Sequence, residues 1–245
     1  MSSMYLSSEH FINIAAGNVR KVSHINKFGY NDAVGTSWEP IRVGSELIVY
    51  PTTAATVSVV SANAGDTAAG TGARTVEIQG LDQDYNKTIE NITLNGTTPV
   101  NTTKTFIRIF RIRVMTAGSN GAPEGNLTAS IGGNVQITLD NTYDNQSLYA
   151  AYTIPANHDG YLLRVQATTT KDNKVAMVAI KTKSPKADSV WQIKQVLELY
   201  RNEVTVDFPV PLKFTEKTDI ELRAKNLDAG TVSVGGTFDL ILIER

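Results

Sequence analysis

Branching at Cβ constrains this chain more than any other feature of its sequence. Thr, Val and Ile number 28, 22 and 19 of 245 residues. Two heavy substituents on Cβ restrict helical rotamers and pack well on a pleated surface. Eighteen Gly and 18 Asn supply residues that tolerate left-handed backbone in turns. The composition specifies an all-β chain.

The runs between the turns have the period of strands. Arg74 to Leu81 alternates, with Val76 and Ile78 on one face, and Lys87 to Leu94 repeats the pattern. Their link, Asp82-Gln83-Asp84-Tyr85-Asn86, has the length and residue types of a hairpin loop. Leu47 to Tyr50 is a short apolar run closed by Pro51, and Thr56 to Ser61 follows it. Phe106 to Val114 alternates but slips phase between Ile109 and Phe110, which is what a β-bulge produces. Gly132-Gly133 joins two further short strands as a hairpin.

A polar stretch at 140–147 reads as a boundary. Beyond it come about eight strand-like runs at the spacing of a sandwich or jelly roll. Val190 to Tyr200 fits both a helical stripe and alternation, and its β neighbours assign it to a strand. The run Phe238 to Ile243 is apolar on both faces after Asp239. Such a strand lies centrally in a sheet or has its outer face covered by another subunit. Before Ile41, the segment 28–40 gathers Phe28, Tyr30 and Trp38, aromatics that pack on their own domain or on a partner. The expected organisation is an N-terminal arm over 1–40, a β domain over 41–140 and a C-terminal jelly-roll-like β-sandwich over 141–245.

Charge and motifs remove most chemistry. With 23 basic and 24 acidic residues the net charge is −1, so there is no electrostatic footprint for nucleic acid or an anionic membrane. Cysteine is absent, which excludes disulfides, thiolate catalysis and Cys-ligated metal. No apolar run reaches membrane-spanning length, and Met1 to Phe11 lacks the pattern of a secretory leader. His10, His24 and His158 stand too far apart to suggest a metal pair. Asp82 to Asn86 opens like a calcium loop, but Lys87 and Thr93 stand where Gly and Glu are required. Gly70-Thr71-Gly72 precedes a strand rather than a helix, so it makes no phosphate cradle. Catalytic residues, cofactor and metal are all expected to be none. Arg108, Arg111 and Arg113 form the local basic cluster, either a solvated strand face or a docking surface for an acidic protein.

Several stretches resemble a virion structural protein family of tailed bacteriophages of marine and cyanophage type. They are 27–31, 67–82 (Thr67 to Asp82), 94–97, 216–224 (Glu216 to Ala224) and 238–240. The resemblance spans roughly 24–243 at the level of pattern, and its motifs carry no chemistry. It implies a non-enzymatic particle component, made in the host cytoplasm and residing on the capsid surface of the virion. The expected role is a capsid cement or decoration protein that stabilises the assembled head shell by binding it and not its free subunits. Its expected partners are the major capsid protein and itself, as a homotrimer, with neither nucleic acid nor membrane. Phe28, Tyr30, Trp38, Arg108, Arg111 and Arg113 are the candidate partner-binding residues. The alternative is a receptor-binding or fibre module recognising cell-surface glycan, with Tyr149, Tyr152, Trp191 and Tyr200 as candidate platforms.

Overall fold

A computed structural model describes residues 8–143, 145–169, 176–185, 190–199 and 202–245. The first element among the described residues is the α-helix α1 (Ser8–Ala15). The strands that follow are β1 (Val22–Val34), β2 (Glu39–Pro40), β3 (Ala55–Ser61), β4 (Ala73–Leu81), β5 (Lys87–Thr93) and β6 (Val100–Phe106). Next come β7 (Arg108–Ala117), β8 (Leu127–Ile131), β9 (Asn134–Leu139), β10 (Ala151–Thr153) and β11 (His158–Thr169). The last are β12 (Ala176–Lys183), β13 (Trp191–Leu199), β14 (Glu203–Phe214), β15 (Asp219–Asn226) and β16 (Val232–Glu244).

Two sheets form the larger sandwich. One runs β1-β16-β11-β14, the other β10-β15-β12-β13. Counted along the sandwich alone, these eight strands fall in the orders 1-8-3-6 and 2-7-4-5, the winding of a jelly roll. Inward residues of β16 (Phe238, Leu240, Leu242), β11 (Leu162, Val165) and β15 (Ile220, Leu222) fill the space between the sheets. β16 lies centrally between β1 and β11, the first of the two arrangements its sequence allowed. Its outward Asp239 and Ile241 are half-buried.

The expectation of an arm over 1–40 is corrected by β1. That strand pairs antiparallel with β16 from Val22↔Ile243 to Val34↔Val232. Its inward side chains include Lys27, Gly29 and Asn31, so the hydrophobic period that announces a strand is missing. β2 likewise pairs with β15. The jelly roll therefore does not close within 148–243.

The second strand of the jelly roll is split, and a second β-sandwich grows from the break. Ile41 N–H donates to Leu222 O (2.9 Å), and Leu222 N–H donates to Ala150 O (3.0 Å). The chain thus leaves the sheet at Ile41 and re-enters beside it at Ala150, with Arg42 bridged to Tyr149 at the neck. Gly29 makes this crossing possible, because a Cβ there would collide with the Ile41 carbonyl and the Ala150 amide. The inserted lobe packs β6-β3-β8-β9 against β5-β4-β7 around Val57, Val76, Ile78, Phe106, Ile112 and Leu127.

Inside this lobe the turn chemistry behaves as read. Gly132 and Gly133 both have positive φ (57° and 81°) in the β8–β9 hairpin. Asp82 Oδ1 accepts the amides of Asp84 and Asn86, each at 2.9 Å, in the β4–β5 loop. Two expectations fail. Leu47 to Tyr50 forms no strand; Pro51 removes a ladder donor, and the run contributes Ile48 and Tyr50 to the packing instead. The run 106–114 is not one strand either, since the chain changes sheets at Ile107 between β6 and β7.

Candidate functional site

The bulge in β7 sets the contact between the lobes. Gln79 pairs with Arg111 and Gly80 with Ile109, leaving Phe110 as the extra residue. That bulge keeps Ile109 and Ile112 in the core of the inserted lobe while turning Phe110 into the core of the jelly roll. There its ring lies 4.3 Å from that of Tyr152.

Arg108 pins the same seam. It is 7% exposed and grips Asp219 of β15 bidentately, Nε to Oδ1 at 2.8 Å and Nη2 to Oδ2 at 3.0 Å. Its Nη1 donates to the carbonyls of Pro51 and Ile107, both at 2.8 Å. The guanidinium lies 4.7 Å from the Tyr50 ring centroid and 5.5 Å from that of Tyr85. Asp219 also accepts Thr153 Oγ1 at 2.6 Å. These contacts correct the expectation that Arg108 docks a partner, because every one of its donors is engaged within the chain. Arg113 bonds Glu77 at 2.8 Å. Burial raises the Glu77 carboxyl, and hydrogen bonds from Arg113 and Gln79 more than offset that, so its pKa lies below the ordinary value.

Burial pushes the hydroxyls of Tyr50, Tyr149 and Tyr152 above their ordinary range, aided at Tyr50 and Tyr149 by the Glu221 carboxylate. Tyr149 and Tyr152 are core residues, 4% and 5% exposed. Trp191 lies beneath Arg223, 4.7 Å from ring centroid to guanidinium, and edge-on to Tyr50. Tyr200 lies outside the described residues. Internal packing thus engages Tyr149, Tyr152 and Trp191.

The aromatics of 28–38 are distributed over different surfaces. Phe28 and Tyr30 are half-buried on the outer side of β1. Phe28 lines a shallow groove with Gly235, Gly236 and Thr237, and Tyr30 meets Tyr143 edge-to-face at 5.7 Å. Trp38 lies over the outer face of the β12–β15 pair, half-buried, with Lys181 Nζ 5.3 Å and Lys225 Nζ 5.2 Å from its ring. Burial and the neighbouring Arg223 lower the Lys181 pKa. An indole flanked by two ammonium groups presents both apolar area and positive charge. The paired lysines were not visible in the sequence, since both reach Trp38 through long-range strand register.

No group of three or more His, Asp or Glu side chains suited to a metal occurs among the described residues. No described helix is long and apolar enough to cross a membrane.

No family model matches the chain, and no curated protein matches it. Solved structures aligned to it include that of the infectious bursal disease virus Gx strain, at 10% identity over 92% of this chain and 76% of that one, with a TM-score of 0.21. The VP2 subviral particle of the same virus aligns at 8% identity over 92% and 77%, with a TM-score of 0.16. Superpositions this loose identify no shared fold, and the jelly-roll assignment rests on the strand order alone.

Proposed function

We propose that this chain is a non-enzymatic virion structural protein, most specifically a capsid cement or decoration protein. It binds the outer surface of an assembled phage head, and the major capsid protein is its partner. The observation that carries this reading is the jelly-roll winding with a second β-sandwich raised from its split second strand. Jelly rolls build viral capsid domains, but also lectins and cupins, and fold alone does not choose among them. The sequence resemblance to phage virion proteins favours the first. Work by such a body is done through shape and buried area; an added copy on the shell stabilises it by mass action.

The Trp38 surface is the contact we assign to the shell. An aromatic ring with two lysines fits an acidic, partly apolar partner surface, and Trp is among the residues enriched at interface hot spots. Self-association as a homotrimer on the particle belongs to the same proposal. Co-sedimentation with purified heads tests it: saturable pelleting with shells and none with dissociated subunits is expected. Trp38→Ala should weaken attachment by roughly 2–4 kcal/mol at an unchanged melting temperature. Pelleting that is absent, or indifferent to Trp38→Ala, contradicts the proposed contact.

A further inference from the structure

A cleft of about 240 Å³ opens between the lobes, where β1 of the jelly roll faces β4, β5 and β7 of the insert. Its lining brings together Lys27, Lys87 and Arg111, with Gln79, Thr88 and His24 as further polar groups. Among the described residues no Asp or Glu lines it. Register explains part of this convergence: Gln79 pairs with Ile89 on one side and Arg111 on the other, and Leu81 pairs with Lys87.

The cations lack counter-ions. Lys27 is 4% exposed, and its ammonium donates once, to Phe110 O at 2.6 Å, with the Tyr149 ring centroid 5.6 Å away. Three donors are available on an ammonium. Neither Lys27, Lys87 nor Arg111 forms an ion pair with a described carboxylate. The nearby acids are committed elsewhere: Glu77 to Arg113 (2.8 Å), and Asp239 to His24 (3.0 Å) and Asn26 (2.9 Å). Glu244 exerts a favourable field on Lys87 from a distance. Burial and repulsion from Arg111 depress the Lys27 pKa well below its ordinary value. Burying an unpaired cation is costly, and an anion in the cleft would offset that cost at Lys27, while Lys87 and Arg111 reach it from more exposed positions.

We propose that this cleft binds a small oxyanion of the phosphate or sulfate class. Arg111 offers the planar fork that such anions engage, and the two lysines offer point charges. A volume of about 240 Å³ is room enough for one oxyanion with part of its hydration. Closure around the anion would tie the insert to the jelly roll through ligand contacts added to the Arg108 pin. This proposal is independent of the capsid reading.

Thermal unfolding of the full chain against inorganic phosphate and sodium sulfate, at constant ionic strength made up with chloride, tests the site. The expected result is a saturable rise in melting temperature with either oxyanion and none with chloride. The anion giving the lower half-saturating concentration identifies which of the two the site prefers. In Lys87→Ala/Arg111→Ala, both partly exposed positions, the half-saturating concentration should rise at least tenfold while the anion-free melting temperature stays near that of the parent. Should that pair fail to fold, calorimetric titration of Arg111→Lys gives the same discrimination. An equal rise in parent and variant, a rise with chloride, or no saturation overturns the proposal. Binding of an acidic peptide with neither oxyanion competing would assign the surface to a protein partner instead.

Discussion

Replacing Arg108 by Ala should be the most damaging single change at the seam. The guanidinium is 7% exposed and Asp219 2%, so the substitution leaves a buried carboxylate whose remaining side-chain donor is Thr153 Oγ1. Breaking a buried pair from one side costs about 3–5 kcal/mol. The carbonyls of Pro51 and Ile107 lose a donor as well. For a chain of this size about 2–4 °C is lost per kcal/mol, which gives a fall of roughly 6–20 °C in melting temperature. Thermal melts followed by circular dichroism measure that fall, and guanidinium titration followed by Trp fluorescence measures the free-energy loss itself. The charge argument makes a second demand: Arg108→Met/Asp219→Leu, which removes both ions, should recover most of the loss. A deficit under about 1 kcal/mol for the single variant, well below the range for a broken buried pair, refutes the reasoning. So does a double variant as unstable as the single, because the loss would then come from packing rather than from an orphaned charge.

Three further outcomes follow from the same geometry. Asp66, fully buried, accepts the amides of Ala73 (2.7 Å), Glu124 (2.9 Å) and Gly125 (3.0 Å); Asp66→Ala should cost about 3 kcal/mol or more, read by urea denaturation. Deleting residues 1–40 removes β1 from its full-length pairing with β16, so circular dichroism should show loss of the folded state rather than an intact jelly roll. The depressed Lys27 pKa means that the unfolded chain binds more protons between that value and about 10.4. Stability should therefore rise with pH across that window, and Lys27→Met should flatten the rise when urea midpoints are compared at neutral and mildly alkaline pH.

Much of the local architecture was legible because it depends on neighbouring residues. Strict alternation located β4 and β5, the paired glycines located the β8–β9 turn, and the phase slip at Ile109–Phe110 located the bulge. Val190 to Tyr200 resolved as a strand over Trp191–Leu199, its alternation interrupted at Gln195 by a register shift opposite Ile180 and Lys181. What stayed hidden depends on distant residues. β1 places Lys27, Gly29 and Asn31 on the core side, so nothing in its pattern marks it as sandwich, and the joining of Ile41 to Ala150 across Leu222 leaves no local trace. α1 was also missed: its apolar stripe of Phe11, Ile14 and Ala15 spans barely two turns, and its C-terminal cap, with Asn18 N–H bonding Asn13 O at 2.8 Å, depends on Gly17 at φ 74°. The three arginines looked alike in sequence. The bulge leaves all three on one face of β7, opposite Leu81, Gln79 and Glu77, and their positions along the strand send Arg108 into the seam, Arg111 to the cleft and Arg113 to Glu77.

The copy number of this chain per particle tests the cement proposal most directly. Quantitative mass spectrometry of purified virions should find it in fixed ratio to the major capsid protein, at one copy or one trimer per repeating shell unit. A handful of copies per particle, in ratio to tail proteins instead, would contradict the account.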